Sequence, residues 1–363
     1  PRSIQKDLPA GVARVLIKAL SKSSRGRYAT STAMVDALRQ AGGKASRPGA
    51  APRQPWSPAW KWVLAGVLAV GLLVGGVWIG SRISLRAASP PQPGATRVWE
   101  TDGAVMVYVP AGTFWMGSSE DEPGNVDARP QHEVYLDAFW IDRTEVTNAQ
   151  FTAFLNAQGN QTESGMTWLN VRAEHYLIEE VDGQYQPKSG YEQHPAIEVT
   201  WYGANAYCVW AGKRLPTEAE WEKAARGTDE RIYPWGDEFD GTRVNFCDAN
   251  CDPDGENADW DDGYADTAPV GSYPAGASPY GALDMAGNVW EWVADWYGED
   301  YYAGSPDGNP AGPETGEYRV SRGGSWSYSP IGVRAADRTR DPPGGSYGDN
   351  GFRCALSTSG AGS

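Results

Sequence analysis

Few residues in this sequence are suited to redox or metal chemistry. The chain holds four cysteines and three histidines. Cys247 and Cys251 stand in a C-x3-C spacing that suits either a small disulfide or a pair of metal-binding thiolates. His132, His175 and His194 are widely spaced and read as structural or exposed side chains, not as a facial metal set. A third group lies between Ser327 and Asn350. There the stretches RGGSW, VRAA and GFR alternate with Ser327, Tyr328, Ile331, Asp337, Thr339, Asp341, Ser346, Tyr347 and Asp349. Tyr, Ser, Gly and Asp make adaptable contacts at low entropic cost, so this stretch reads as a ligand-binding surface.

Charge and hydropathy divide the chain that carries these residues. It has 363 residues, with 31 Lys+Arg against 46 Asp+Glu. Residues 1–61 carry 12 basic and 2 acidic side chains, and the remainder 19 and 44, so the two parts differ in sign. An acidic surface of this size repels phosphate and does not suit nucleic-acid binding. The 17 Trp and 18 Tyr argue against disorder, which goes with few aromatics. From Trp62 to Gly80 the sequence WVLAGVLAVGLLVGGVWIG runs 19 residues without a charge. As a helix it spans roughly 28 Å, about one hydrocarbon core. Trp60, Trp62 and Trp78 lie near its ends, where indole favours the interface. Basic residues precede it, so the N-terminus is expected in the cytoplasm and the acidic part outside, as a single-pass membrane protein. All four cysteines follow the crossing, which agrees with an oxidising compartment and paired disulfides. The chain opens on Pro1, not Met, and so reads as a fragment or a processed product.

The elements that must position the chemistry follow from periodicity and caps. Residues 1–41 show apolar side chains at helical spacing in Val12, Val15, Leu16 and Leu20, and again in Met34, Val35 and Leu38. Residues 42–59 form a Gly/Pro/Ala linker, 60–80 the membrane helix and 81–97 a second linker. The folded domain is expected over 98–357, with 358–363 a flexible tail. VMVYVPAGTFWMGS reads as strand, turn, strand. Thr147 is expected to cap a helix that Gly159 stops, and a second helix is expected over Tyr202–Trp210. The third begins after Pro216, where Thr217-Glu218-Ala219-Glu220 is a capping box, and Gly227 suits its left-handed end. Residues 228–356 are rich in Gly, Pro, Asp, Tyr and Trp and show few helical periods. The fold class is α+β with much irregular backbone, whose loops call for ions or disulfides as staples.

Seven motifs occur in order: VPAGTFWMGS, DRTEVTNAQF, HPAIEVTWYGANAYCVWAGKRLPTEAEWEKAARG, YPWGD, GALDMAGNVWEWVADW, RVSRGGSW and NGFRCAL. Together they resemble the formylglycine-generating enzyme, or sulfatase-modifying factor, family across residues 98–357. The resemblance implies that family's variant of the C-type-lectin fold. It also implies a structural disulfide between Cys208 and Cys354, leaving Cys247 and Cys251 open to both readings above. The family's enzymes oxidise a sulfatase cysteine to formylglycine with oxygen and copper, the metal sitting between two thiolates after RGGS. Soft thiolates select Cu(I). Here no cysteine lies between Gly324 and Arg353. The place of the first catalytic thiolate falls on Tyr328, and the loop is shorter. No catalytic residue is assigned, and copper is not expected. The sulfoxide-forming branch uses iron held by histidines of an additional domain, which His132, His175 and His194 do not supply. The resemblance further implies two structural Ca²⁺ sites. One takes side chains of Asp284 and Glu291 with backbone oxygens of Gly287 and Val289. The other takes Asn245 and Asp262 with the carbonyls of Phe246 and Tyr264. Hard oxygens on irregular loops suit this ion. The last segment also resembles the variable region of proteins diversified by retroelements, whose binding face uses the same fold.

Residues 8–40, LPAGVARVLIKAL and then GRYATSTAMVDAL, resemble the last helices of a bacterial Ser/Thr protein kinase C-lobe. Arg27 stands where that family's turn arginine braces the activation segment. None of the kinase's catalytic motifs is present, so this chain alone is not expected to transfer phosphate, and an upstream kinase domain is expected in the full-length protein. The outer domain is then expected to be a non-catalytic sensor of a membrane-anchored, kinase-linked protein, with an extracellular protein or glycan as ligand. The alternative is an oxidase of the formylglycine-generating type acting on an exported protein.

Overall fold

The computed structural model describes residues 90–122, 124, 126–251, 255 and 257–358. The kinase-like piece, the first linker, the membrane helix and most of the second linker lie outside the described residues. Among the described residues no helix is long and apolar enough to cross a membrane.

Two four-stranded sheets frame the domain. The first runs in the order β1 (Thr96–Val98), β2 (Val105–Val109), β5 (Phe139–Asp142), β14 (Ala355–Ser357), all antiparallel. β1 pairs Thr96 with Val107, so the domain begins inside the stretch read as linker. At the other end Thr358 donates to the Ala138 carbonyl at 2.8 Å and belongs to the same sheet edge. β2 does not alternate apolar with polar because both its faces are covered. Val107 and Val109 enter the main core with Phe114 and Trp221, while Met106 and Tyr108 pack against Trp140. The strand–turn–strand reading of 105–116 holds, but the two strands separate. β3 (Gly112–Met116) leaves β2 and pairs with β4 (His132–Leu136). β6 (Thr162–Glu163) with β7 (Met166–Thr167), and β8 (Ile178–Val181) with β9 (Gln184–Pro187), make two small hairpins.

The second sheet carries the candidate site. Its order is β12 (Arg338–Asp341), β11 (Arg319–Arg322), β10 (Trp290–Trp296), β13 (Asn350–Phe352). β10 and β13 run parallel, with Trp290 opposite Asn350. The long connection between β11 and β13 therefore crosses one end of this sheet.

Two of the three helices, α1 and α3, start where the caps read from the sequence predict. In α1 (Asn148–Gln158), Thr147 Oγ1 accepts from the Gln150 amide at 3.2 Å, and the Gln150 side chain accepts from the Thr147 amide at 2.9 Å. α2 (Trp201–Trp210) is capped by Thr200 and begins one residue before its expected start. α3 (Glu218–Arg226) shows the capping box, with Glu220 Oε2 accepting from the Thr217 amide at 2.9 Å. Gly227 takes a φ of 75° but a ψ of −136°, so it uses a glycine-only conformation other than the left-handed helical one.

α3 is buried on all sides although its sequence is charged. The carboxylates of Glu218 and Glu222 are met by arginines, one within the helix and two from the second sheet. Glu222 pairs with Arg226 at 3.0 Å and with Arg322, and Glu218 pairs with Arg338 at 2.8 Å. Lys223 is the exception, since Nζ donates only to the carbonyls of Pro110 and Gly112, at 3.0 and 2.7 Å. Burial pulls its ammonium down to about 8 from the ordinary 10.5. The unfolded chain keeps that proton to higher pH, so between these values it binds more protons and stability rises with pH. The rise is expected to reach about 1–2 kcal/mol after allowance for screening. Urea midpoints at about pH 7.5 and 9.5 should show it in the wild type and not in Lys223→Met; equal slopes for both would contradict it.

All four cysteines are paired. Cys208 of α2 bonds Cys354, between β13 and β14, and Cys247 bonds Cys251. The short pair is thus a disulfide, which settles the two readings left open by its spacing.

Candidate functional site

The connection from β11 to β13 is turned by two glycines. Gly323 and Gly324 take φ of 101° and 74°. A Cβ on Gly324 would come within 2.4 Å of the Gly332 carbonyl, so only glycine allows the loop to fold back here. The fold-back buries Ser325 and leaves Ser327 and Tyr328 exposed at the rim. Asp349 Oδ2 gathers this rim, accepting from Ser325 Oγ at 3.0 Å and from Ser327 Oγ at 3.1 Å.

Tyr328 is the centre of the face. Its ring stands edge-on to Trp290, with centroids 5.2 Å apart, and it is 40% exposed. Its backbone is held on both sides, since its carbonyl accepts from the Cys247 amide at 2.9 Å and its amide donates to the Ser325 carbonyl at 3.0 Å. The Cys247–Cys251 disulfide therefore braces the place where the resemblance puts a copper thiolate. Burial, and then the Asp349 carboxylate, raise the Tyr328 hydroxyl above its ordinary value, so it is a neutral donor at physiological pH.

The remaining predicted contacts divide. Ile331 is exposed in the short 3-10 turn Pro330–Val333. Thr339 and Asp341 lie on β12, and Asp341 sits by Tyr347, whose hydroxyl is pushed up to about 12 by burial and that carboxylate. Ser346 accepts from Asn170 Nδ2 at 3.2 Å, and the Tyr347 carbonyl accepts from the Glu198 amide at 2.9 Å. Asp337 does not join them. It is 5% exposed and accepts from Arg334 Nη2 at 3.2 Å, so it is an interior ion-pair partner and not a surface contact. Its assignment to the face is corrected here: a local Arg at three residues' distance draws it inward.

The face also includes residues outside the β11–β13 connection. Glu198 is buried at a φ of 57°, an uncommon backbone state for a non-glycine residue. Burial raises its carboxyl above the ordinary range. His175 lies 6.4 Å from Trp326, ring to ring. His194 is buried with Nδ1 2.9 Å from Thr267 Oγ1, and His132 Nδ1 lies 3.1 Å from the Pro130 carbonyl.

The oxygen sets implied for calcium can be tested on their donors. Asp284 and Glu291 share a buried cluster with Glu145, which the sequence reading did not single out, and with one guanidinium, Arg353. Glu291 accepts from Arg353 Nε and Nη2, both at 2.6 Å, and from Trp221 Nε1 at 2.8 Å. Asp284 Oδ2 accepts from the Gly271 amide at 2.6 Å. Glu145 Oε1 accepts from Asn288 Nδ2 at 2.8 Å, and its Oε2 is buried without a partner. Desolvation raises all three carboxyls. In the second set Asn245 Oδ1 is likewise buried and unpartnered. Asp262 accepts from the amides of Phe246 and Tyr264, at 3.0 and 2.9 Å, which fixes the two residues whose carbonyls complete the set. Both sets are hard oxygens of the kind Ca²⁺ takes, with an unsatisfied acceptor at Asn245 in the second and at Glu145 beside the first, where both Glu291 oxygens already accept from Arg353. Among the described residues no three His, Cys, Asp or Glu side chains converge to hold an ion, so amide and backbone oxygens would have to contribute.

Comparison with known proteins places this geometry. A family model described as a sulfatase-modifying factor enzyme 1-like domain matches residues 93–358. The formylglycine-generating enzyme of Streptomyces coelicolor is 41% identical over 305 residues, covering 74% of this chain and 93% of that enzyme. The serine/threonine-protein kinase pkn1 of Chlamydia caviae is 42% identical over 253 residues, covering 69% of this chain but 37% of the kinase. This chain thus spans little more than a third of that relative's length. A mouse protein named inactive C-alpha-formylglycine-generating enzyme 2 is 34% identical and overlaps 69% of this chain and 85% of its own. Among solved structures, PvdO from Pseudomonas aeruginosa matches with a TM-score of 0.59 and 30% identity, over 74% of this chain and all of PvdO. The fold is therefore the C-type-lectin-like one that the motifs imply, and the chain belongs to the sulfatase-modifying factor family.

Proposed function

We propose that the domain over 93–358 is a non-catalytic ligand-binding module of a membrane-anchored, kinase-linked protein. One observation carries this reading. The chain's four cysteines are all consumed in disulfides, and Tyr328 fills the rim where a copper thiolate would have to stand. Without a free thiolate the two-thiolate seat that the family uses for Cu(I) cannot form. The surface that replaces it is built of Tyr328, Ser327, Asp349, Asp341 and Tyr347, groups that bind without reacting. The relative named as inactive supports a branch of this family that kept the fold without the reaction, and the pkn1 relatives support the link to a kinase. The apolar run Trp62–Gly80 supplies the anchor, with the acidic domain outside, and any signal would pass through ligand binding that differs between two states of the chain. The second reading, an oxidase acting on an exported protein, rests on the 41% identity to the Streptomyces enzyme.

Structural calcium belongs to the same proposal, with Asp284, Glu291, Gly287 and Val289 in one site and Asn245, Asp262, Phe246 and Tyr264 in the other. Metal analysis of the purified chain tests both halves. Calcium and no copper is the expected result. Tightly held copper would overturn the non-catalytic reading, and absence of calcium after dialysis against a calcium buffer would remove the structural ions.

A further inference from the structure

Beside the Tyr328 rim lies a pocket of about 170 Å³. It shares Trp326 and Gly348 with the β11–β13 connection, and the rest of its wall comes from the segment between 174 and 197 and from Asp266 and Thr267. It is a built feature. Trp326 Nε1 donates to the Gly348 carbonyl at 3.4 Å, and a Cβ on Gly348 would come within 2.7 Å of the His175 Cβ, so glycine is needed for the loop to close against this wall. Drug-sized ligands occupy roughly 300–1,000 Å³, so this volume has room for a single ring or a single side chain.

The lining chooses between those two. Tyr176, Tyr191 and Trp326 supply aromatic surface. Glu174 and Asp266 supply carboxylates, and Lys188 supplies an ammonium that lies 3.4 Å from the Tyr176 ring centroid. An apolar side chain would strip water from both signs of charge and replace no hydrogen bond. A cationic side chain would meet Lys188, and an anionic one would meet Glu174 and Asp266. A neutral polyhydroxylated ring meets neither objection. Its hydroxyls donate to the carboxylates and accept from the ammonium, while its C–H face lies on the aromatic rings, which are apolar in body and polar at the tip. We infer that this pocket binds one neutral sugar unit, which deepens the binding-module reading and rests on it.

The test uses the full chain and a panel of free neutral sugars: glucose, galactose, mannose and N-acetylglucosamine, followed by tryptophan fluorescence and ligand-detected NMR. At least one is expected to bind saturably with a Kd of about 1 mM. Tyr176→Ala is expected to weaken that sugar at least tenfold, and so is Asp266→Asn, a shape-conserving change at an exposed side chain. Val209→Ala, an exposed change on α2 away from the face, should leave it unchanged. Saturation by none of the four, or equal binding by wild type and both pocket variants, would overturn the inference. Neither result bears on whether the domain is an oxidase, which metal content and turnover decide separately.

Discussion

Arg353→Met is expected to destabilise the domain by about 3–5 kcal/mol or to prevent folding, because removing one partner leaves an uncompensated buried charge. Arg353 is fully buried. Its guanidinium forks onto both oxygens of Glu291 and also donates to the carbonyls of Asp142, Arg143, Leu283 and Asp284, at 3.0–3.2 Å. It thereby ties β13 to β10, to the end of β5 and to the loop of the first calcium set. Methionine matches the stem but strands Glu291, with Glu145 and Asp284 beside it. Arg353→Lys keeps one charge but cannot reproduce the planar fork, so an intermediate loss is expected. Urea unfolding and soluble yield measure the series. A methionine variant within about 1 kcal/mol of wild type would show that the cluster does not depend on this cation.

Removing the two disulfides is expected to have unequal consequences. Cys208 and Cys354 are 146 residues apart in sequence, Cys247 and Cys251 only 4. Cross-linking lowers the entropy of the unfolded chain with the logarithm of the loop, which gives about 5 kcal/mol for the long bridge and about 2 kcal/mol for the short one. The long bridge is also set among Phe151, Tyr207 and Phe352 in a closed core, so its loss opens space there. Paired Cys→Ala substitutions compared by thermal and urea unfolding should rank the bridges in that order. The short bridge has a second readout, because its backbone holds the Tyr328 carbonyl and so the rim of the proposed binding face. Equal losses would mean that chain entropy does not govern the difference.

What could be read from the sequence was local. Thr147 and Thr217 cap α1 and α3 because a side-chain oxygen and an orphan amide lie within one turn of each other, and no distant contact is needed to see it. The family motifs carried the fold, and counting from RGGS set Tyr328 at the place of the family's first catalytic thiolate. What escaped was contact between segments far apart in sequence. Glu145 reaches Asn288 across 143 residues, and Asn170 reaches Ser346 across 176. Asp337 shows the limit of composition. It shares its residue type with Asp341 and Asp349, but the turn after Val333 points it at Arg334 and inward. In irregular backbone no period separates an inner carboxylate from an outer one. Glu198 gave no signal at all, since its unusual φ is a property of the folded chain.

The most direct test is turnover. The full chain, reconstituted with Cu(I) under the conditions that load an active formylglycine-generating enzyme, is mixed with a cysteine-containing peptide. Dissolved oxygen and aldehyde on the peptide are then followed. With no free thiol and a tyrosine where the resemblance puts the first thiolate, no oxygen uptake above the copper blank and no aldehyde are expected. Catalytic conversion of the peptide cysteine to formylglycine would contradict the account.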